Sequence, residues 1–441
     1  MISFKDKKIA VVGLGIEGLS SIQYLKKHGA EVTELDKKQG EKYLQNLDQY
    51  DLIIRSPGIK PELLKIDSSK ITSQTKLFFD LCPCPIIGVT GTKGKGTTSS
   101  LIFEMLKKEG RDVYLGGNIG KAPFEFLDKL TPQSIVVLEL SSFQLVDFDK
   151  SPARLASENV AGRPYIAVIL MTTSEHLDWH KDIKEYIDAK RNILKYQSSS
   201  DFAIVNRDYP ASLESDIYSE GKVFYVSRER AGYDGCFISK DKIAIQIKGQ
   251  SYDLISTKEI LLPGKHNLEN VCAAVLAATL AGVWKGNIVS VLKTFKGLEH
   301  RLALVREVNG VKYYDDSFST TPETAIAAIE AFKIPEILIL GGSSKSSDFT
   351  ELGRIISSHK NIKAIIGIGK EWPSIRSKIS KKSKVILIEG AENMKTIVLA
   401  ASKIAKPGDV VLLTPACASF DMFANYKDRG ELFKKEVNRL P

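Results

Sequence analysis

One stretch of the sequence has the residue types that hold a polyphosphate, Ile87-Gly-Val-Thr-Gly-Thr-Lys-Gly-Lys-Gly-Thr-Thr98. Its glycines permit positive φ angles and a close approach of the backbone, so that several N–H groups can point at one anion. Lys95 could then reach the β- and γ-phosphates of a nucleotide, and a nearby hydroxyl could bind Mg²⁺. Because Gly96 directly follows this lysine, Thr97 must supply the hydroxyl.

The flanking residues favour this interpretation over an ordinary glycine-rich turn. The apolar run from Pro85 to Val89 predicts a buried strand before the loop. Apolar residues at helical spacing from Leu101 to Lys108 predict a helix after it. Since a helix N-terminus adds a positive dipole end to the N–H groups of the loop, the three elements together suit a phosphate chain.

A second glycine motif, Gly13-Leu-Gly-Ile-Glu-Gly18, lies near the N-terminus. It follows a predicted strand at Lys8 to Val12 and precedes a predicted helix from about Leu19 to His28, and the next predicted strand ends at Asp36. This is the dinucleotide-binding pattern, which on its own predicts NAD or FAD. However, the phosphate-binding loop at 87–98 begins too soon after this motif for a six-stranded dinucleotide fold. A mononucleotide diphosphate is therefore the alternative ligand.

A carboxylate ends one of the predicted buried strands. The near-continuous apolar run from Ile135 to Leu138 is typical of a parallel strand covered on both faces. Glu139 follows at its carboxyl end, where open α/β sheets bind their ligands. Oxygen ligands suit Mg²⁺, so Glu139 is a candidate ligand beside Thr97, and a surface carboxylate at a strand end is the alternative.

The composition indicates a globular protein of two to four domains. The 441 residues are 43% hydrophobic and 26% charged, and no apolar run approaches the ~20 residues of a membrane helix. The start lacks a signal-peptide pattern, and five scattered cysteines favour the cytoplasm. The net charge of +9 comes from lysines dispersed among glutamates, which argues against nucleic-acid binding. No amphipathic stripe suggests an interface, so a monomer is expected.

Several motifs, spread in order along the whole chain, carry a resemblance to one family. They are Val11-Val-Gly-Leu-Gly-Ile-Glu-Gly-Leu-Ser20, Ser56-Pro-Gly58, the loop around Lys95, Glu139-Leu-Ser-Ser-Phe-Gln144 and Gly264-Lys-His-Asn-Leu-Glu-Asn270. Together they resemble the Mur ligase family. The resemblance implies an α/β protein of three domains: a Rossmann-like domain at 1–82 for a UDP substrate, a central P-loop ATPase domain with a parallel sheet at 83–297, and a Rossmann-like, amino-acid-binding domain at 298–441.

The resemblance also implies a reaction and its partners. An ATP-dependent ligase would add D-glutamate to UDP-N-acetylmuramoyl-L-alanine through an acyl phosphate, in cytoplasmic synthesis of peptidoglycan precursors. Two Mg²⁺ ions would assist, and Lys190 would be carbamylated to become a metal ligand. The metal ligands implied are Thr97, Glu139, His176 and Lys190, and the catalytic residues are Lys95, Glu139, His176 and Lys190.

The remaining implied contacts divide between the substrates. Those with ATP are Gly91, Thr92, Lys93, Gly94, Lys95, Gly96, Thr97, Thr98, Asn267, Asn270, His300, Arg301 and Asp316. Those with the UDP substrate or the amino acid are Gly15, Ile16, Glu17, Asp36, Lys37, Ser56, Asn118, Ser142, Gln144, Thr320, Lys345, Ser419, Phe420 and Tyr426.

Two departures from the family pattern leave alternatives open. Glu17 stands where Thr is usual, and a carboxylate beside a diphosphate is unfavourable unless it turns away. Phe318 replaces a lysine that helps to hold the amino acid's carboxylate, so L-glutamate or another amino acid is an alternative substrate. A folylpolyglutamate synthase, an NAD-dependent oxidoreductase and a non-catalytic nucleotide-binding protein are the alternative classes. The segment 152–164 is a predicted loop without an assigned role.

Overall fold

A computed structural model describes residues 3–40, 42–149, 162–176, 179–229, 232–262, 264–343 and 347–441. Most of the predicted 152–164 loop and the predicted contact Lys345 therefore lie outside the described residues. The chain divides into two compact units. One comprises Met1–Ile260 and His266–Thr294, and the other comprises Leu261–Lys265 and Phe295–Pro441.

The first unit begins with a four-stranded parallel sheet in the order β2-β1-β3-β4. Ile9 and Val11 of β1 are fully buried because helices cover this sheet. The strands are β1 Lys8–Val12, β2 Glu31–Leu35, β3 Leu52–Arg55 and β4 Ile71–Ser73, and the helices are α1 Ile16–Lys27 and α2 Gln74–Leu81.

The second sheet of this unit has nine strands in the order β13-β12-β11-β10-β9-β8-β5-β7-β6. The pairs β11–β12 and β12–β13 are antiparallel and the other pairs are parallel. The strands are β5 Ile86–Thr90, β6 Val113–Gly117, β7 Ile135–Glu139, β8 Ile166–Ile169, β9 Phe202–Asn206, β10 Lys222–Ser227, β11 Gly235–Ser239, β12 Lys242–Ile247 and β13 Gln250–Ser256. The helices are α3 Lys95–Lys108, α4 Ser142–Leu145, α5 Ile183–Arg191, α6 Pro210–Leu213, α7 Lys265–Leu280 and α8 Lys285–Thr294.

The second unit has a six-stranded sheet in the order β14-β15-β19-β16-β17-β18, in which only the pair β14–β15 is antiparallel. Two apolar clusters, one on each face, bury the central strands. The strands are β14 Ala303–Val308, β15 Val311–Asp315, β16 Glu336–Gly341, β17 Ile362–Ile368, β18 Ile386–Ile388 and β19 Val410–Leu413. The helices are α9 Pro322–Ile329, α10 Thr350–Ser358, α11 Trp372–Lys378, α12 Met394–Ile404 and α13 Tyr426–Asn438.

The predicted α/β class with parallel-rich sheets is confirmed. The helix after the phosphate-binding loop begins at Lys95 rather than at the predicted Leu101. The prediction was late because the first turn of the helix contains no apolar side chains and so shows no apolar period. Among the described residues, no helix is long and apolar enough to cross a membrane.

One buried carboxyl group is expected to reduce the stability of the second unit. Both oxygens of Glu336, at the start of β16, are buried without a hydrogen-bond partner among the described residues. Burial raises the pKa of Glu336 from 4.5 to about 9. The folded state thus keeps this proton at a pH where the unfolded chain releases it, so the stability falls as the pH rises from about 4.5 to about 9.

Replacing this side chain should therefore stabilise the protein. We expect Glu336→Met to raise the free energy of unfolding by up to about 4 kcal/mol at pH 7.5, with a smaller gain at pH 6. Urea unfolding at pH 7.5 and at pH 6 measures this gain in the free energy of unfolding. Glu330→Met, at an exposed position, is the control and should change the stability by less than about 0.5 kcal/mol. An equal gain at both pH values would contradict the assignment of the effect to ionisation.

Candidate active site

The phosphate-binding loop connects the carboxyl end of β5 to α3, and its glycines are required by their surroundings. Gly94 has φ +87°, and a Cβ there would lie 2.0 Å from Oδ1 of Asn270. Gly91 has φ +149°, and a Cβ there would lie 2.8 Å from Cβ of Leu170. The loop thus packs closely against α7 and the segment after β8. Larger residues would displace it from the N-terminus of α3.

The polar side chains of the loop make specific contacts. Nζ of Lys95 donates to the carbonyl oxygens of Gly91 (3.1 Å) and Thr92 (3.0 Å), so this lysine folds back over the loop. The Thr92 hydroxyl lies 2.9 Å from the Tyr186 hydroxyl. Lys93 forms an exposed ion pair with Glu175. Lys95 is therefore positioned by the backbone of the loop that it would serve.

The other predicted ATP contacts of this unit lie at the loop or on α7. Thr97 is half-buried, whereas Thr98 is fully buried with its hydroxyl 3.5 Å from the Asn270 carbonyl oxygen. Asn270 Nδ2 donates to Oδ1 of Asn267 at 3.1 Å. Gly96 is buried within the first turn of α3. The structure thus brings Asn267 and Asn270 to the loop, as the resemblance implied.

Glu139, at the carboxyl end of β7, has a carboxylate oxygen that could bind a cation. The side chain is almost fully buried, and its Oε1 accepts a hydrogen bond from Nδ2 of Asn118 at 3.0 Å. Its Oε2 is buried without a hydrogen-bond partner among the described residues. A buried, unpaired carboxylate oxygen is costly unless a cation or water binds it. This arrangement fits the oxygen-rich ligand set that Mg²⁺ prefers.

Lys190 on α5 reaches the same loop. Its side chain is almost fully buried, and its Nζ donates to the Gly91 carbonyl oxygen at 2.9 Å and lies 4.5 Å from the ring centre of Tyr186. Burial, and next the charge of Lys95, hold the pKa of Lys190 well below its usual range, although the charges of Glu175 and Glu139 oppose this effect. The neutral amine is thereby favoured, and a neutral amine is a nucleophile.

His176 lies beside these residues in a strained conformation. Its φ of +59° is uncommon for a residue other than glycine, and such angles concentrate at functional sites. The ring centre of His176 lies 4.8 Å from that of Phe143, and Nε2 lies 3.6 Å from Glu175 Oε2. The resemblance placed this histidine at a metal, and the geometry leaves it half-exposed next to the loop.

Two supporting residues were not predicted. Tyr186 connects Thr92 to α5, and its position one helical turn before Lys190 was the available signal. His180 has a fully buried side chain, and its Nε2 lies 2.9 Å from the Ser142 hydroxyl. The contacts of Tyr186 and His180 position Lys190 and Ser142. The sequence does not reveal the partners in these contacts, because each contact joins segments that are distant along the chain.

The N-terminal sheet bears a cavity of about 590 Å³ at the carboxyl ends of β1 and β3. Gly13 has φ +89° there, and a Cβ at Gly18 would lie 2.0 Å from the Gly13 carbonyl oxygen, so both positions require glycine. All six predicted contacts of this domain line the cavity, and Tyr43 and Leu63 were not predicted. The six are Gly15, Ile16, Glu17, Asp36, Lys37 and Ser56.

Asp36 has a fixed role in the wall of this cavity. Its carboxylate accepts hydrogen bonds from the backbone N–H groups of Leu14 (3.0 Å) and Lys38 (3.1 Å). These two bonds hold the pKa of Asp36 below its usual range. The carboxylate therefore stays ionised and braces the glycine motif against the end of β2.

In the second unit, aromatic and charged side chains surround Phe318. The Arg301 guanidinium carbon lies 3.8 Å from the ring centre of Phe318, and Tyr426 meets the same ring edge-on at 5.0 Å. His300 is buried, and its Nδ1 lies 2.7 Å from Oδ2 of Asp315. The three predicted residues Arg301, His300 and Tyr426 thus come together around Phe318.

Other predicted residues of this unit have mixed environments. Asp316 accepts hydrogen bonds from the Thr414 hydroxyl (3.0 Å) and the Leu302 N–H (3.1 Å), and burial raises its pKa to about 7. Ser419 is buried, and Phe420 is exposed. Thr320 is half-buried. Asp316 is therefore largely occupied by internal bonds.

Arg429, which was not assigned a role, ties together the loops at this end of the sheet. Its buried guanidinium donates to the hydroxyl and the carbonyl oxygen of Ser317, both at 2.9 Å. It also donates to the carbonyl oxygens of Cys417 (3.2 Å) and Ala418 (3.3 Å). Two loops that follow different strands are thus held by one side chain.

Comparison with known proteins identifies the family. Residues 89–278 match the model of the Mur ligase middle domain, and residues 300–417 match that of the Mur ligase, glutamate ligase domain. The UDP-N-acetylmuramoylalanine--D-glutamate ligase of Acetivibrio thermocellus is 37% identical over 99% of this chain and 97% of its own length. The chain belongs to the Mur ligase family. Ligases of the same name from Clostridium botulinum strain Langeland and Symbiobacterium thermophilum are 38% and 36% identical, each over 99% of this chain and 98% of the relative.

Solved structures of Mur ligases have the same fold. The MurF ligase of Thermotoga maritima in complex with ADP has a TM-score of 0.59 at 19% identity, over 99% of this chain and 96% of that structure. A MurF structure from Acinetobacter baumannii has a TM-score of 0.62 at 15% identity, over 98% and 94%. As a Mur ligase, the protein is an ATP-dependent enzyme that forms an amide bond. The predicted family, fold class and enzyme class are confirmed, and the oxidoreductase and non-catalytic alternatives are rejected.

Proposed function

We propose that this Mur ligase adds D-glutamate to UDP-N-acetylmuramoyl-L-alanine, with cleavage of ATP to ADP and phosphate, in peptidoglycan precursor synthesis. The relatives that match almost the whole chain are named for this reaction. The observation that carries the proposal is that one compact unit holds both a phosphate-binding loop at the N-terminus of α3 and a glycine-lined cavity that suits a diphosphate.

The reaction requires two substitutions in sequence. A carboxylate oxygen of the substrate attacks the γ-phosphorus, the bond to the β-phosphate oxygen breaks, and an acyl phosphate and ADP result. The neutral amine of glutamate then attacks the acyl carbon, and the bond from that carbon to the phosphate oxygen breaks. Phosphate leaves and the nitrogen releases a proton to the solvent as the amide forms. Both steps develop charge on phosphate oxygens, and Lys95 and the N–H groups around Gly94 would stabilise this charge.

We infer that two Mg²⁺ ions assist, and the residues present fit them. Glu139, with its unpaired oxygen, and Thr97 would hold one ion, and His176 and Lys190 would hold the other. When bound, the ions neutralise phosphate charge. Asn118 directly follows β6 and donates to Glu139, whereas Ser142 and Gln144 lie on α4. All three would line the path of the substrate.

We also infer that Lys190 is carbamylated. Its neutral amine would attack CO₂ to form an N–C bond, and one N–H proton would leave to water, so that a negatively charged carbamate results. Burial and the lowered pKa of Lys190 support this step, since only an unprotonated amine has the required lone pair. A carbamate would also supply the oxygen ligands that an amine lacks.

The remaining contacts stay proposals drawn from the family. Asn267, Asn270, His300, Arg301 and Asp316 would contact ATP with the loop. Thr320, Lys345, Ser419, Phe420 and Tyr426 would hold the amino acid. Because Phe318 removes a positive charge, L-glutamate or another amino acid is the alternative substrate. The domain bounds 1–82, 83–297 and 298–441, a monomeric state and a cytoplasmic location also remain our predictions.

Phosphate release tests the proposed function. The purified protein is mixed with ATP, Mg²⁺ and UDP-N-acetylmuramoyl-L-alanine, and D-glutamate, L-glutamate or no amino acid is added. We expect sustained release with D-glutamate only. Release with L-glutamate only would keep the chemistry and change the third substrate, and the lack of release with every amino acid would overturn the proposal.

A further inference from the structure

Glu17 connects the N-terminal cavity to the central sheet. It lies in the first turn of α1 and lines the cavity, and its Oε1 accepts a hydrogen bond from Nε2 of Gln144 at 2.6 Å. Oε1 of Gln144 in turn accepts from the N–H of Ser141 at 2.8 Å and from its hydroxyl at 3.0 Å. Glu17 is thus joined to the turn that directly follows Glu139.

The carboxyl group of Glu17 is in an unusual place for a charge. Its Oε2 is buried without a hydrogen-bond partner among the described residues. Burial raises the pKa of Glu17 to about 6. The bond from Gln144, the charge of Arg55 and a weaker interaction with the Thr75 hydroxyl oppose this effect, and the charge of Asp147 reinforces it. On the cavity wall, Asp36 keeps its charge through backbone bonds, and Lys37 and Tyr43 are the other ionisable neighbours.

A diphosphate at the glycine motif would sit at the N-terminus of α1, where the helix dipole attracts anions. An ionised carboxylate in the first turn competes for that dipole and repels the diphosphate. A neutral carboxyl group does neither and can still accept the bond from Gln144. Substrate binding and protonation of Glu17 should therefore favour each other, since such coupling is reciprocal.

We propose that Glu17 is a positioning residue that sets the affinity for the UDP substrate: its neutral form admits the diphosphate while holding Gln144, and its ionised form weakens binding. This proposal rests on the proposed function, in which the N-terminal cavity binds the UDP part of the substrate. It explains how a carboxylate occupies a position where the family usually has Thr. It also makes the affinity depend on pH within the physiological range.

Calorimetric titration with UDP-N-acetylmuramoyl-L-alanine, without ATP, tests the proposal. The diphosphate of this substrate is esterified at both ends and lacks the proton that a phosphate monoester loses near pH 6. We expect Kd to rise about tenfold from pH 5.5 to pH 7.5 in the unmodified protein. Glu17→Gln keeps an acceptor for Gln144, so its Kd should stay at the low value throughout.

Two further variants separate charge from position. Glu17→Ala should also remove the pH dependence of Kd, but it should lower kcat because Gln144 loses its partner. Glu31→Gln, an exposed residue at the start of β2, is the matched control and should keep the rise in Kd. Equal pH profiles for the unmodified protein and Glu17→Gln would overturn the proposal while leaving the proposed function intact. A lack of substrate binding at every pH would overturn both.

Discussion

Lys190→Ala is expected to lower kcat by about 10²–10³-fold or more, the largest effect of any single replacement considered for this enzyme. The side chain reaches the phosphate-binding loop through the Gly91 carbonyl oxygen, and in the carbamylated form it would supply a negative charge there. Alanine removes both the hydrogen bond to the loop and the negative charge. Phosphate release with D-glutamate measures the loss, and Lys184→Ala, an exposed lysine on the same helix paired with Asp188, is the control that should keep its rate.

The same variant tests the carbamate directly. After incubation with ¹³C-bicarbonate, the unmodified enzyme should show a carbamate carbon signal by NMR that is missing in Lys190→Ala. Removal of CO₂ should lower the activity of the unmodified enzyme, and added bicarbonate should restore that activity. Since only the neutral amine reacts, the signal should weaken as the pH falls through the lowered pKa of Lys190. An unchanged rate in Lys190→Ala, or a signal that survives the replacement, would rule out this role.

Arg55→Met is expected to destabilise the first unit by about 3–5 kcal/mol. Arg55 is fully buried, and its Nη2 lies 2.6 Å from Oδ2 of Asp147 and 3.0 Å from the Phe143 carbonyl oxygen. Methionine fills much of the volume but leaves the Asp147 carboxylate buried without its counter-ion. An isolated buried charge costs more than the loss of a surface ion pair.

Scanning calorimetry checks this expectation, because it resolves the transitions of a protein with more than one unit. Arg354→Met breaks an exposed ion pair with Glu351 and should change the stability by less than about 1 kcal/mol. The double variant Arg55→Met/Asp147→Leu removes both charges and should regain part of the loss. If Arg55→Met destabilised the protein as little as Arg354→Met does, the buried ion pair between Arg55 and Asp147 would not stabilise the packing of the two sheets.

Local patterns predicted most of the elements. The strand at Lys8–Val12 has the predicted bounds, because a short apolar run between polar residues defines both of its ends. The start of α3 was predicted six residues late, since glycine and threonine mark a loop as readily as a helix N-terminus. The glycines of both motifs were predicted correctly, because their backbone requirements are local.

The parts of the site that could not be predicted join residues far apart in the sequence. Arg55 and Asp147 are 92 residues apart, and Glu17 and Gln144 are 127 residues apart. Neither pairing follows from the spacing of charges, because many other carboxylates and amides were available. The direction in which Glu17 points, and hence its coupling to Gln144, is a property of how the two sheets of the first unit pack together.

In the amino-acid site that we propose, the hydrogen bonds from Arg429 to Ser317, Cys417 and Ala418 limit how this enzyme's descendants could change their substrate preference. A loop fixed at its backbone cannot swing aside to admit a larger substrate. New preferences must therefore arise from exchanges at side chains that stand on the fixed frame, as Phe318 does. We therefore expect inherited variation in selectivity to accumulate at Phe318 while Arg429 stays unchanged.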